Sequence, residues 1–343
     1  MNYLKFSSNQ ELRAYIEGLA ASNPTEFCMK ESPAVTELPP LPASITHLEI
    51  EDCPALWLLP KLPKSLSFLS LYKCGSLTEL PRLPASLVEL CIRKCDGIRY
   101  LRYLPTALRK LRIGCARMVQ SPKLPASLQV LELDGCDWLS AVPKLPAGLL
   151  ALEVRACPNL SRIPALPESL ESLSIIACSQ VIGLPALPAG VRRFELRQCA
   201  QVRSLPEWPA ALRSLDLFAC PALVDLSEFP EGLSELTLLD CPAVAVLPAL
   251  PSSLKSCILR ACRAPKLFST LPQSLTSLLV IDSAIAELPA LPAALKSMLV
   301  EKCPNLSRLP KLPDSLQSLI IRDCAGLYPN QKLILGSLEI RLE

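Results

Sequence analysis

The sequence predicts an α/β-class repeat solenoid with a parallel β-sheet. Three observations carry the prediction. Thirteen of the sixteen cysteines lie on one ruler: Cys53, Cys74, Cys95, Cys115, Cys136, Cys157, Cys178, Cys199, Cys220, Cys241, Cys262, Cys303 and Cys324. The step is 21 residues, shortened to 20 between Cys95 and Cys115, and Ser283 fills the one gap in the series. Around each cysteine the chain reads L-x-x-L-x-[LIV]-x-x-C-x-x-L-x-x-L-P-x-L-P-x-S, as in Leu66 to Ser86 and Leu295 to Ser315. The third observation is that the prolines follow the same period, so they belong to the architecture. A fixed period over about fourteen turns means that each unit buries its apolar side against its neighbours.

Each element follows from local chemistry. Ser8-Asn9-Gln10-Glu11 fits a capping box, and Leu12, Tyr15, Ile16 and Leu19 recur at helical spacing. Residues 9–21 are therefore expected to form an amphipathic helix within an N-terminal cap spanning residues 1–35. About fourteen repeats fill residues 36–336. In each, L-x-L alternates apolar and polar residues, a short strand with one buried face. A turn follows at the cysteine. The segment L-P-x-L-P excludes helix, because proline lacks the amide and forces its predecessor into extended backbone. A narrow, polyproline-like convex side results, and the outward strand positions line a concave face. Residues 337–343 are expected to close the chain as a capping strand.

Composition narrows the function classes. Half of the residues are hydrophobic but only 5% are aromatic, and 35 prolines against 11 glycines argue against flexible linkers. A net charge of +3 is too slight to make nucleic acid an expected partner. No apolar run reaches the eighteen residues that would suggest a membrane span. The opening MNYLKFSSNQELRAYIEG lacks the features of a cleavable secretory signal peptide. So many cysteines without a pairing scheme suggest a reducing compartment.

The ladder thiols admit a disulfide, metal or reactive reading. Thirteen evenly stacked equivalents match no disulfide pairing and no metal-ligand grouping such as C-x-x-C, so a structural role is expected. The chain offers no nucleotide-binding, metalloprotease or serine-hydrolase motif. His47 has no evident nucleophile beside it, and Cys91 is the one thiol expected to point outward, next to Arg93. No catalysis, no cofactor and no metal are expected.

Two irregular stretches suggest binding. Residues 93–123 carry nine basic side chains against Asp96, among them Arg93, Lys94, Arg109, Lys110 and Arg112. Such a patch could hold phosphate, an acidic peptide or nucleic acid; a solvated face in a mildly basic protein is the plainer reading. On the outward strand positions, charged residues dominate early repeats. Later the apolar Phe218, Leu239, Ile258, Leu279, Ile281, Leu299 and Ile320 intrude, beside a column of Ser256, Ser277, Ser297 and Ser318. An exposed apolar strip is expected there. It would serve a protein partner or, as a homo-oligomer, a second copy of this chain.

The run LPxLPxSLxxLxI, as in Leu83-Pro84-Ala85-Ser86-Leu87 and Leu312-Pro313-Asp314-Ser315-Leu316, resembles the LPX-type leucine-rich repeats of bacterial type III secretion effectors, YopM-like scaffolds and IpaH-like ubiquitin ligases. The resemblance covers about residues 36–336. It implies a leucine-rich-repeat horseshoe with a short helical cap, and a protein-binding scaffold acting on host proteins. It also implies export without a cleaved signal peptide into the host cytoplasm; residence in the bacterial cytoplasm is the other expectation. The ladder residue in that family is normally asparagine, and the cysteine form is also similar to plant immune-receptor repeats. IpaH-like members place a C-x-D nucleophile after the repeats, and none of the sixteen cysteines here precedes an aspartate in that way. Ligase activity is therefore not expected. The substrate-recognition part of such a ligase, and an intracellular adaptor or immunity protein, stand as alternatives.

Overall fold

The computed structural model describes residues 3–19, 22–244, 246–262 and 268–327, together with the backbone of 339–342. It divides into two units, Met1–Leu170 and Glu171–Glu343. In the first unit, helix α1 (Asn9–Leu19) precedes seven strands: β1 (Glu26–Lys30), β2 (His47–Glu51), β3 (Phe68–Tyr72), β4 (Glu89–Arg93), β5 (Lys110–Gly114), β6 (Val130–Asp134) and β7 (Ala151–Arg155). The second contains β8 (Ser172–Ile176), β9 (Arg193–Arg197), β10 (Ser214–Phe218), β11 (Glu235–Leu239), β12 (Ser256–Arg260), β13 (Ser277–Ile281), β14 (Ser297–Glu301), β15 (Ser318–Arg322) and β16 (Glu339–Leu342). Within each unit successive strands pair parallel, in chain order and in register. Equivalent positions of successive repeats therefore stand side by side in rows. Each unit is a parallel-sheet repeat solenoid, as the periodicity predicts.

The second and fourth residues of the strands point inward, as with Leu48 and Ile50 or Leu215 and Leu217, all at most 1% exposed. The residue after most strands adopts positive φ, for example Asp52, Lys73, Lys94, Ala156, Gln198 and Asp240. That backbone lets the chain leave the sheet without breaking the ladder. The Asp52 amide donates to the Tyr72 carbonyl at 2.8 Å, and Gln198 to Phe218 at 2.7 Å.

Next comes the ladder cysteine. All sixteen thiols are free, and every one on the ruler is buried. Cys95 Sγ lies 3.4 Å from the Arg93 carbonyl oxygen and 3.6 Å from that of Leu71 on the preceding strand. The same pattern recurs at Cys74, Cys136, Cys199 and Cys220. A small weak donor adds a second contact to carbonyls such as those of Tyr72, Arg93 and Phe218, which already accept from the amide of the positive-φ residue one repeat earlier. Ser283 does the same work at its place, donating to the Ile281 carbonyl at 2.9 Å.

The P-x-S tail of the repeat forms a second ladder. The Leu66 amide donates to Pro63 O at 3.2 Å, closing a turn, and Ser65 Oγ donates to Ala43 O or Ile45 O at 2.6 and 2.7 Å. Ser86, Ser169 and Ser274 repeat that bond. Between the two turns the L-P-x-L-P segments are extended, with only isolated bridges such as Glu37 to Leu58.

The expected helix appears as Asn9–Leu19; residues 20 and 21 lie outside the described ones. Ser8 Oγ accepts from the Glu11 amide at 3.2 Å, and the Glu11 carboxylate accepts from Ser7 rather than Ser8. Asn9 ties the helix to the repeats by exchanging hydrogen bonds with Thr36 at 2.7 and 2.9 Å. The segment assigned to the cap also holds strand β1, which the sequence reading did not foresee. Ser32 sits 21 residues before Cys53, is fully buried, and donates to the Lys30 carbonyl at 3.1 Å. Leu4 then extends the edge of β1: its amide donates to Cys28 O at 3.0 Å, and its carbonyl accepts from Lys30 at 2.9 Å. At the other end β16 falls within residues 337–343; residues 337, 338 and 343 lie outside the described ones.

Candidate protein-contact face

Register turns the outward strand positions into rows. In the second unit the middle row runs Thr237, Ile258, Leu279, Leu299, Ile320. Four branched apolar side chains thus stand on four consecutive strands. The row beside it is Ser256, Ser277, Ser297, Ser318, and Ser297 Oγ donates to Ser277 Oγ at 3.0 Å. The short serines leave the flank of the apolar row open.

The row on the other side reads Phe218, Leu239, Arg260, Ile281, Glu301, Arg322. Arg260 stands between Leu239 and Ile281. Its Nε donates to Asp240 at 3.0 Å, and its guanidinium lies over the Phe218 ring, 5.8 Å from the centroid. The seven apolar residues singled out by sequence therefore fall into two groups. Arg260 separates Phe218 and Leu239 from Ile281 in their own row, while Ile258, on the same strand as Arg260, opens the middle row that continues through Leu279, Leu299 and Ile320. All seven are half-buried rather than fully exposed, since parallel neighbours about 4.8 Å away flank each side chain.

The basic stretch of the first unit is not one surface. Arg93, Lys110 and Arg112 occupy the sheet face, Lys94 the positive-φ turn, and Arg109 an exposed position outside the strand. Glu132 on β6 accepts from Arg112 Nε at 2.7 Å and from Arg93 Nη2 at 3.0 Å, so one carboxylate bridges both guanidinium groups. Lys110 stands opposite Glu89 in register, and Lys94 Nζ lies over the Tyr72 ring at 5.5 Å. These partners favour the plain reading of this stretch, a solvated and partly compensated face.

Most ladder thiols do not resemble nucleophiles; Cys95 and Cys220 are lowered by contacts with the neighbouring Cys74 and Cys241, yet both are fully buried. Burial pushes Cys115 and Cys199 up to about 12, and Cys262 and Cys303 up to about 11. Cys91 is the only half-buried thiol. Burial raises it more than the neighbouring Arg93 and Arg112 lower it. In a maleimide mass-labelling experiment on the folded chain, Cys91 should react first and slowly. Its rate should keep climbing above the pH at which an ordinary thiol has ionised, because only the thiolate attacks. All sixteen cysteines should react after denaturation. Rapid labelling of several thiols in the folded chain would contradict the packing described.

Cys91 is also not alone on the outward face. Register puts Cys28 of β1 in the same row, opposite Glu49, with Ser70 between Glu49 and Cys91. Sequence reasoning missed it because β1 itself was missed. The signal was present in Ser32, one period before Cys53.

No protein-family model and no curated protein sequence matches the chain. Solved structures similar to it include two of YopM. YopM from Yersinia enterocolitica WA-314 shares 25% identity, over 93% of this chain and 83% of that one, with a TM-score of 0.62. YopM from Yersinia pestis, described as a leucine-rich effector protein, shares 22% over 91% of this chain and 92% of that one, with a TM-score of 0.68. What this chain has in common with them is the leucine-rich-repeat solenoid fold.

Proposed function

We propose that the chain is a non-enzymatic protein-binding scaffold that engages its partner through the outward sheet face of the second unit. One observation carries the reading: Ile258, Leu279, Leu299 and Ile320 form an unbroken apolar row flanked by serines. Apolar side chains held in a row at the surface gain by leaving water when a complementary surface covers them. Likeness to an effector of the same fold supports a role as a secreted bacterial effector whose partner is a host protein.

Replacing Ile258, Leu279, Leu299 and Ile320 together by aspartate should abolish capture of the partner from host lysate. Circular dichroism should stay that of the wild type, because the inward positions of these strands are untouched. Capture that survives the fourfold change would reject this face. Loss of self-association by the same variant, with no host protein captured by the wild type, would assign the row to a homo-oligomer instead.

A further inference from the structure

The first two strands of the first unit bring together three groups of different chemistry. Cys28 on β1 stands opposite Glu49 on β2, and His47 lies two residues before Glu49 on the same face. One ligand atom from each, the thiol sulfur, an imidazole nitrogen and a carboxylate oxygen, all lie within 4.8 Å of one another. Two further observations point to a ligand. His47 Nε2 is buried and has no hydrogen-bond partner, although a buried ring nitrogen is ordinarily paired. It sits 4.0 Å from Glu49 Oε2, too far for a hydrogen bond. The imidazole is held in place by stacking flat on Phe68, with centroids 4.0 Å apart and planes inclined by 2°.

We propose that Cys28, His47 and Glu49 form a site for one divalent zinc ion, against the sequence expectation of no metal. Sulfur, nitrogen and oxygen donors together suit this borderline-soft cation. Bond lengths of about 2.0–2.3 Å put tetrahedral ligand atoms roughly 3.3–3.8 Å apart, so side-chain rotations of about an ångström would close the set. The charges balance: thiolate and carboxylate offset the dication while the imidazole stays neutral. Three protein ligands leave the fourth position to water.

The surroundings fit that assignment. The Tyr3 phenol is raised to about 12 by burial and then by the neighbouring Glu49, which places a phenol close to the carboxylate as an outer-shell group. Lys30 is the nearby cation, and its ammonium group is engaged by Glu31 at 4.0 Å and by the Tyr3 ring at 4.9 Å. Burial, then Glu49 and Glu26, push the Cys28 thiol up. A bound dication reverses that repulsion, so the thiol proton leaves to solvent as the metal–sulfur bond forms.

Cobalt titration of the chelator-treated full chain tests the proposal. One equivalent should give tetrahedral ligand-field bands with a thiolate-to-cobalt charge-transfer band, and one equivalent of zinc should erase them. Cys28→Ser should remove the charge-transfer band, and His47→Gln and Glu49→Gln should each weaken binding at least tenfold. Cys91→Ser should change nothing. Zinc should raise the melting temperature of the wild type but not of His47→Gln, whose metal-free melting should match the wild type. No tetrahedral spectrum, or one that survives in both Cys28→Ser and His47→Gln, would overturn the site; the latter would assign the metal to ladder thiols.

Discussion

Cys199→Asp is expected to destabilise the chain by about 3–5 kcal/mol, the cost of burying a carboxylate with no cation beside it. The position is fully buried, and the sulfur faces the carbonyl oxygens of Arg197 and Ile175, at 3.4 and 3.8 Å. Two acceptors would face a third. Cys199→Ser should cost only about 1–2 kcal/mol, because its hydroxyl can donate to the same oxygens. Ser32 and Ser283 already make that bond at equivalent places. Equilibrium urea unfolding followed by circular dichroism measures both. Equal stability of the aspartate and serine variants would show that the ladder is not held by donors at this position.

The second large effect is expected at Gly114. Between β5 and Cys115 the chain lacks the positive-φ residue that separates strand from cysteine elsewhere, as Lys94 does after β4. The shortened turn draws the strand end inward. A Cβ at Gly114 would lie 2.9 Å from the Asp134 carbonyl oxygen and 3.1 Å from Arg93 Cγ. The first of these is backbone and cannot swing aside. Gly114→Val should therefore cost about 2–4 kcal/mol in urea unfolding. Inserting one residue between Gly114 and Cys115 restores the 21-residue unit, where Arg93 and Arg155 occupy the equivalent position with full side chains. The insertion should recover most of the loss. A valine variant as stable as the wild type would show that the turn relaxes freely.

Much of the architecture was legible because the period repeats one solution many times. Cysteine spacing, L-x-L alternation and L-P-x-L-P each constrain the backbone locally, and fourteen copies average out exceptions. Strand β1 escaped because Phe27, Met29 and Ser32 replace the leucine and cysteine signature, though their burial is the same. The P-x-S serine was legible as a pattern but not as a ladder, since its acceptors lie a full repeat earlier.

The candidate sites were less legible. Residues 93–123 read as strongly basic, yet the carboxylate that bridges Arg93 and Arg112 is Glu132, outside that window. The apolar strip was visible as a list of residues, and only register showed Arg260 dividing it. Cys28, His47 and Glu49 span 21 positions in the chain and meet only because β1 pairs with β2.

By itself the sequence determined the unit, its turns and which side chains point inward, because these follow from backbone limits within one repeat. Only the tertiary structure decided which outward side chains become neighbours. In a parallel ladder a side chain meets partners about one period away, and a displacement of one or two residues along the strand separates a salt bridge, an apolar row and a cluster of metal-binding atoms.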